Sequence, residues 1–382
     1  MSKKKILFLT STRADYGKLK ILMKSVEQEE NFELYIFVTG MHMLSRYGST
    51  YREVEKDNYK NIYKYINQKS RYSEQMDLIL SDTISGLSNY VAELKPDLIV
   101  VHGDRLEALA GAIVGAFNNI KILHIEGGEV SGTIDESIRH AITKFSHIHL
   151  VANEEAKHRI IQMGESEKNV FIFGSPDIDI MYSDLLPELE EVKKRYDINF
   201  DKYAIVLYHP VTTDIKNTRE KAKSVVDALE ESDLNYVVIY PNNDLGCEEI
   251  FKEYDRLKNN SKIKFYPSMR FEYFLTLLKN SMFIIGNSSS GIREACVYGV
   301  PTIDLGERQR GRYGNIESIL HANESKSEIL NAIVKVKDIK FKPMSHYGNG
   351  DSREIFMNIL SNDSIWDKNV QKKFYDLNQK EE

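Results

Sequence analysis

Short apolar runs alternate along this chain with longer stretches whose apolar positions recur every three to four residues. KKILFLT (4–10), FELYIFVTG (32–40), DLIVVHGD (97–104), IKILHIEGG (120–128) and HIHLVAN (147–153) read as buried strands. Between them, 17–28, 73–94, 105–118 and 135–146 carry the helical period. The pattern resumes with KYAIVLYH (202–209), YVVIYPN (236–242), KIKFYP (262–267), MFIIGNSS (282–289) and VPTIDLG (300–306). Strand and helix alternating in this way predict an α/β chain with parallel, doubly wound sheets. PDIDIMYSDLLPELEEV (176–192) reads as a connection. The expected division is therefore 1–175 and 176–382, two Rossmann-like domains facing across a cleft, the second ending in a polar helical segment from Arg353 onward. Open sheets bind ligands beyond the carboxyl ends of their strands, so the cleft is the expected site.

Composition narrows this picture. A chain of 382 residues is too long for one core and suits two domains. With 42% hydrophobic and 28% charged residues it is globular. The net charge of -6 argues against a nucleic-acid partner. ILFLT, behind Lys3, Lys4 and Lys5, is too short for a signal or a membrane segment, so no membrane partner is expected. Cys247 and Cys296 have neither disulfide-framework nor zinc spacing, which suits a reducing cytoplasm. No Gly-x-Gly-x-x-Gly loop occurs, so no dinucleotide cofactor is expected. His147 and His149 share a strand face and read as packed or hydrogen-bonded, not as metal ligands.

In the second half, IIGNSSSGIREACVYGVPTIDLG (284–306) leaves a strand at Gly286 and enters a helix near Gly291. The backbone N–H groups there, with Ser288 and Ser289, suit either an anion or a simple helix cap. Glu294, about one turn in, is placed for a ribose diol or is an ordinary helix carboxylate. His209 ends a strand in LYHPVTTD, where Pro210 forces an abrupt exit towards the sheet edge. Of Arg308, Arg310 and Arg312 in GERQRGR, one facing a diphosphate is expected and the rest solvated. Arg13 and Arg105 occupy equivalent strand-end loops of the first domain.

The first half carries the proton chemistry. Thr133 to Glu136 fits a capping box, and Asp135 one turn before Arg139 fits a helical ion pair. Neither accounts for Glu126, at a strand end with Gly127 and Gly128 behind it, nor for Asp104 in HGD. Asp104, Glu126 and Asp135 thus converge on one sheet edge, where carboxylates held together are expected to raise one another's pKa and supply an acid and a base.

HGDR, HIEGGEVSGTIDESIRHAITK, HPVTTDIK, GNSSSGIRE and DLGERQRGR, with TRADYGKL near the start and QKKF near the end, resemble the hydrolysing UDP-N-acetylglucosamine 2-epimerases. These include bacterial sialic-acid-pathway enzymes and the epimerase half of the animal epimerase/kinase, whose kinase domain has no counterpart here. The likeness covers essentially the whole chain. It implies a GT-B-like fold, elimination of UDP from UDP-N-acetylglucosamine, then hydration to N-acetylmannosamine, with no redox cofactor and no metal. It further implies homodimers or homotetramers. Asp104, Glu126 and Asp135 are implied as the acid/base set. Arg13, Arg105, His209, Asn242, Ser288, Ser289, Glu294 and Arg308 are implied as UDP-sugar ligands, with Glu294 at the ribose and His209, the serines and Arg308 at phosphate.

Three alternatives bracket this reading. A relative acting on UDP-2,4-diacetamido-2,4,6-trideoxyglucose, of the legionaminic acid pathway, shares most of these motifs. A GT-B glycosyltransferase would need the ribose and phosphate sites but not three clustered carboxylates. A nucleotide-sugar sensor would keep the acids only as caps.

Overall fold

The computed structural model describes residues 3–68, 75–131, 133–184, 186–313, 316–373 and 375, so Phe374 of QKKF and the first residues of the 73–94 helix lie outside it. Two all-parallel sheets organise the chain. The first holds β1 (Lys4–Thr10), β2 (Phe32–Val38), β3 (Ile62–Lys64), β4 (Leu98–His102), β5 (Lys121–Ile125), β6 (Ile148–Val151) and β7 (Val170–Ile172), in the order β3-β2-β1-β4-β5-β6-β7. The second holds β8 (Ala204–Leu207), β9 (Tyr236–Ile239), β10 (Ile263–Tyr266), β11 (Ile284–Gly286), β12 (Thr302–Leu305) and β13 (Ile319–Ala322), in the order β10-β9-β8-β11-β12-β13. Both are α/β doubly wound sheets of Rossmann type, as expected. In each, winding reverses once, between β1 and β4 and between β8 and β11, and a crevice opens at that reversal.

The ten strands expected from apolar runs are all present; β3, β7 and β13 were not expected. They are three- and four-residue edge strands whose half-exposed faces carry too few apolar positions for a period. Each sheet has an apolar layer on both faces.

The last helices depart from the expected 176–382 unit. Phe356, Ile359, Leu360 and Ile365 join the core against β1, and the rings of Phe8 and Phe356 meet at 6.2 Å. Helix Ser352–Leu360 is polar on one face only, and Asp179 in the connecting segment fixes its start. The Asp179 carboxylate accepts from the backbone N–H groups of Ser352 at 3.1 Å and Arg353 at 2.8 Å. The chain end thus returns to the first domain. Among the described residues no helix is long and apolar enough to cross a membrane.

Candidate active site

The cleft between the sheets, about 260 Å³, is lined by every site residue the sequence singled out. Arg13 opens helix Arg13–Gln28, Asp104 and Arg105 follow β4, Glu126 follows β5, and Asp135 lies in the first turn of helix Ile134–Phe145. From the second domain come His209 after β8, Asn242 after β9, Ser288, Ser289 and Glu294 after β11, and Arg308 after β12.

At the first sheet's edge each carboxylate meets a cation, and for Asp135 it is not the one expected. Asp104 pairs with the buried Arg139. Asp135 reaches across the cleft to Arg308, 3.2 Å away, and accepts the Thr133 hydroxyl at 2.9 Å. The expected Asp135–Arg139 helical pair is therefore not the one formed, because Arg139 turns inward to β4. The expected capping box is also altered: Glu136 accepts from the Ser131 N–H at 2.7 Å instead of from Thr133. Glu126 has φ 64°, a left-handed backbone that costs a non-glycine residue ~1–3 kcal/mol and marks functional positions. Gly128 lets the chain pass: a Cβ there would lie 2.2 Å from the Ala156 carbonyl oxygen.

The three acids do not titrate alike. Burial pushes Asp104 upward, but Arg139, with Arg312 and Arg308 behind it, wins and holds it below the usual range. Burial raises Asp135, the Asp104 charge adds to this, and Arg308 offsets only part. Glu126 is held well below the usual range against the effect of burial by Arg293 and Lys18. Mutual raising, expected for all three, holds for Asp135 alone.

The second sheet's edge is built on neutral hydrogen bonds. The buried Asn287 accepts from the His209 N–H at 2.7 Å and donates to the His209 carbonyl at 2.9 Å. Its own carbonyl accepts from Arg308 Nη1 at 3.0 Å and from Gln309 Nε2 at 2.9 Å. His209 Nδ1 accepts from the Asn242 N–H at 3.0 Å, which leaves its proton on Nε2. Burial, then Arg308 and Arg105, keep this imidazole neutral. The helix expected near Gly291 begins at Ser289, with Ser288 as its cap, and runs only to Ile292 before a kink at Arg293. Two arginines of GERQRGR line the cleft, Arg308 and Arg312, whereas Arg310 pairs with Glu307 at 2.7 Å on the surface.

Between the edges runs a buried ionic network that sequence reasoning missed. Lys18 Nζ lies 3.4 Å from Glu126, 3.4 Å from Asp177 and 3.2 Å from Glu294. Burial would lower its pKa, and those three carboxylates raise it instead. Arg293 binds Glu126 at 3.0 Å, Ser175 Oγ at 2.6 Å and also Glu129, whose other oxygen meets Arg312. Against the upward effect of burial, Arg293 and Arg312 bring Glu129 down to about 2. Glu294 is 2% exposed; its Oε2 has no hydrogen-bond partner among the described residues. Arg105 bridges the domains, to Glu107 at 3.3 Å and Asn243 at 3.1 Å. Arg13 has Glu53 at 3.8 Å. Lys18 and Arg293 stood inside quoted motifs, TRADYGKL and GNSSSGIRE, and adjacency to Arg13 and Glu294 was the available signal.

Residues 24–361 match a family model described as UDP-N-acetylglucosamine 2-epimerase. The UDP-N-acetylglucosamine 2-epimerase of Neisseria meningitidis serogroup B is 48% identical over 98% of this chain and 100% of its own length. The UDP-N,N'-diacetylbacillosamine 2-epimerase (hydrolyzing) of Legionella pneumophila is 32% identical over 92% of this chain and 94% of its own. The crystal structure of Methanocaldococcus jannaschii UDP-GlcNAc 2-epimerase in complex with UDP-GlcNAc and UDP gives a TM-score of 0.78 at 23% identity, over 94% of this chain and 99% of that one. That likeness shows the same two-domain fold. With the match to the family model and the relatives' full-length coverage, this chain belongs to the UDP-N-acetylglucosamine 2-epimerase family.

Proposed function

We propose that this chain is a hydrolysing 2-epimerase that converts UDP-N-acetylglucosamine and water to N-acetylmannosamine and UDP, an early step of sialic acid biosynthesis. The observation that carries the reading is the divergence of two neighbouring aspartates, Asp104 lowered and Asp135 raised, beside an arginine from the opposite domain. Carboxylates whose environments push their pKa values apart are suited to exchange protons at neutral pH. Elimination removes the proton at carbon 2 while UDP leaves carbon 1 with the bonding pair. Water then adds to carbon 1 of the acetamidoglucal and a proton to carbon 2 from the opposite face. Asp104 and Asp135 exchange the protons at carbon 2, and each such group contributes ~10²–10⁴-fold.

The departing diphosphate takes its donors from His209 Nε2–H, Ser288, Ser289 and Arg308. When Arg308 turns to the diphosphate, Asp135 loses its counter-charge and becomes a better proton carrier. Glu294 Oε2 receives the ribose hydroxyls, Arg13 and Arg105 border the sugar and diphosphate, and Asn242 steadies His209. The 48% identity to the Neisseria protein supports N-acetylglucosamine as the sugar. The 32% relative named for a diacetamido sugar motivates the second reading.

Proton NMR in deuterated water separates them. UDP-N-acetylglucosamine should give UDP and N-acetylmannosamine deuterated at carbon 2. Turnover of the 2,4-diacetamido sugar alone would favour the second reading, and UDP-N-acetylmannosamine as product would overturn hydrolysis.

A further inference from the structure

One residue of the cleft has no part in the scheme above. His102 ends β4, two positions before Asp104, and lines the cleft. Its Nε2 is buried and lies 3.3 Å from Glu126 Oε1, a close contact with the carboxylate although Nε2 makes no hydrogen bond among the described residues. Its Nδ1 lies on the other side of the ring and makes no hydrogen bond among the described residues.

Glu126 is a poor proton carrier in this setting. It accepts the Ser175 hydroxyl at 2.9 Å and lies 3.0 Å from Arg293 and 3.4 Å from Lys18, three donors that fix its negative charge. An anion fixed in this way can instead orient an imidazole: it keeps the proton on Nε2 and leaves the Nδ1 lone pair for the cleft. The chemistry has an opening for such a group. Inversion at carbon 2 uses one group to remove a proton and another to deliver one on the opposite face, and Asp104 and Asp135 fill those places. Addition of water at carbon 1 needs a third group to take the water's proton.

We propose that His102, oriented by Glu126, is the catalytic base of the hydration half-reaction and accepts at Nδ1 a proton from the water that adds to carbon 1. The proposal rests on the hydrolysing reading. In the step, one O–H bond of water breaks, its oxygen bonds carbon 1, and the proton passes to Nδ1. The double-bond pair of the acetamidoglucal takes a proton at carbon 2 from Asp135. His102 then returns a proton to solvent and Asp135 regains one, so the net change is addition of one water.

His102→Gln tests this, because its amide can still donate to Glu126 but is no base. The full chain and the variant are given UDP-N-acetylglucosamine in deuterated water and followed by proton NMR. The variant should release UDP within about tenfold of the parent rate and form N-acetylmannosamine ~10²–10⁴-fold more slowly, with free 2-acetamidoglucal as its main sugar product. Glu126→Gln should release the glucal too. Supplied 2-acetamidoglucal with UDP should be hydrated by the parent and not by His102→Gln, and UDP calorimetry shows that the variant is folded. N-acetylmannosamine formation within threefold of the parent, or equal loss of UDP release and hydration without glucal in both a folded His102→Gln and a folded His102→Asn, would overturn the proposal. UDP-N-acetylmannosamine from the parent would instead overturn the hydrolysing reading.

Discussion

At the carboxyl edge of the first sheet, Asp104, Glu126 and Asp135 each face a cation. The corresponding edge of the second sheet offers His209, Ser288, Ser289 and Arg308, held by the uncharged Asn287. The two sheets wind alike, so the difference lies in what each strand end carries. On the proposed reading the first edge moves protons, which needs carboxylates whose charges are separately tuned, as Arg139 does for Asp104 and burial for Asp135. On the same reading the second edge holds an anion and adds no negative charge where the phosphates sit; Glu294, further along it, is paired with Lys18 at 3.2 Å. Asn287 ties the end of β8 to Arg308 through hydrogen bonds alone, which keeps that edge positive.

The sharpest way to break the first edge is Asp104→Asn. It keeps shape and removes a proton acceptor, so turnover should fall ~10²–10⁴-fold in a coupled UDP-release assay, while UDP affinity stays within a few-fold. Lys18→Met attacks the network between the edges. It leaves Glu126, Asp177 and Glu294 with an uncompensated buried charge, and urea unfolding should show a loss of ~3–5 kcal/mol.

Acid tests a histidine beneath the first edge. His42 is fully buried between the hydroxyls of Thr10 at 3.0 Å and Thr50 at 2.6 Å, and burial lowers its pKa from 6.5 to about 4. The unfolded chain therefore takes up a proton that the folded one resists. Stability from this site is complete above about pH 6.5 and is lost as pH falls towards 4, by ~3 kcal/mol in total. Urea midpoints at pH 7, 5.5 and 4.5 check that sign.

The smallest expected effect concerns spacing. A Cβ at Gly17 would lie 2.3 Å from Phe271 Cβ, where the helix after β1 touches the second domain. Gly17→Ala should cost ~1–3 kcal/mol by thermal unfolding. It should also lower turnover by about tenfold through misplacement of one edge against the other.

The contrast between the edges was partly legible in the sequence, for a physical reason. An acid next to a glycine at the end of an apolar run, as at Asp104 and Glu126, has no use in a core, so chemistry was the simpler explanation. The central strands were legible because four or more buried positions in a row leave a clear pattern. Helix Arg13–Gln28 begins earlier than its apolar period does, because Thr12 and Asp15 form a capping box on polar residues. Lys18 and Arg293 were not legible as buried charges. On its own helix Lys18 looks like surface, and only the second domain, through Asp177 and Glu294, encloses it. Arg139 was misplaced for a similar reason: a partner four residues away is visible in sequence, but one in the turn after a neighbouring strand is not. The helix Ser352–Leu360 likewise shows its polar face in sequence, while the sheet it covers lies more than three hundred residues earlier.

The division of labour between the edges is tested most directly by titrating UDP into Asp135→Asn protein in a calorimeter. On the proposed reading Asp135, 3.2 Å from Arg308, competes with the diphosphate for it, so its neutral isostere should release the arginine and bind UDP more tightly, by up to about tenfold, while turnover is lost. UDP binding that is clearly weaker than in the parent would contradict the account, because it would make Asp135 part of the anion site instead of the proton-moving edge.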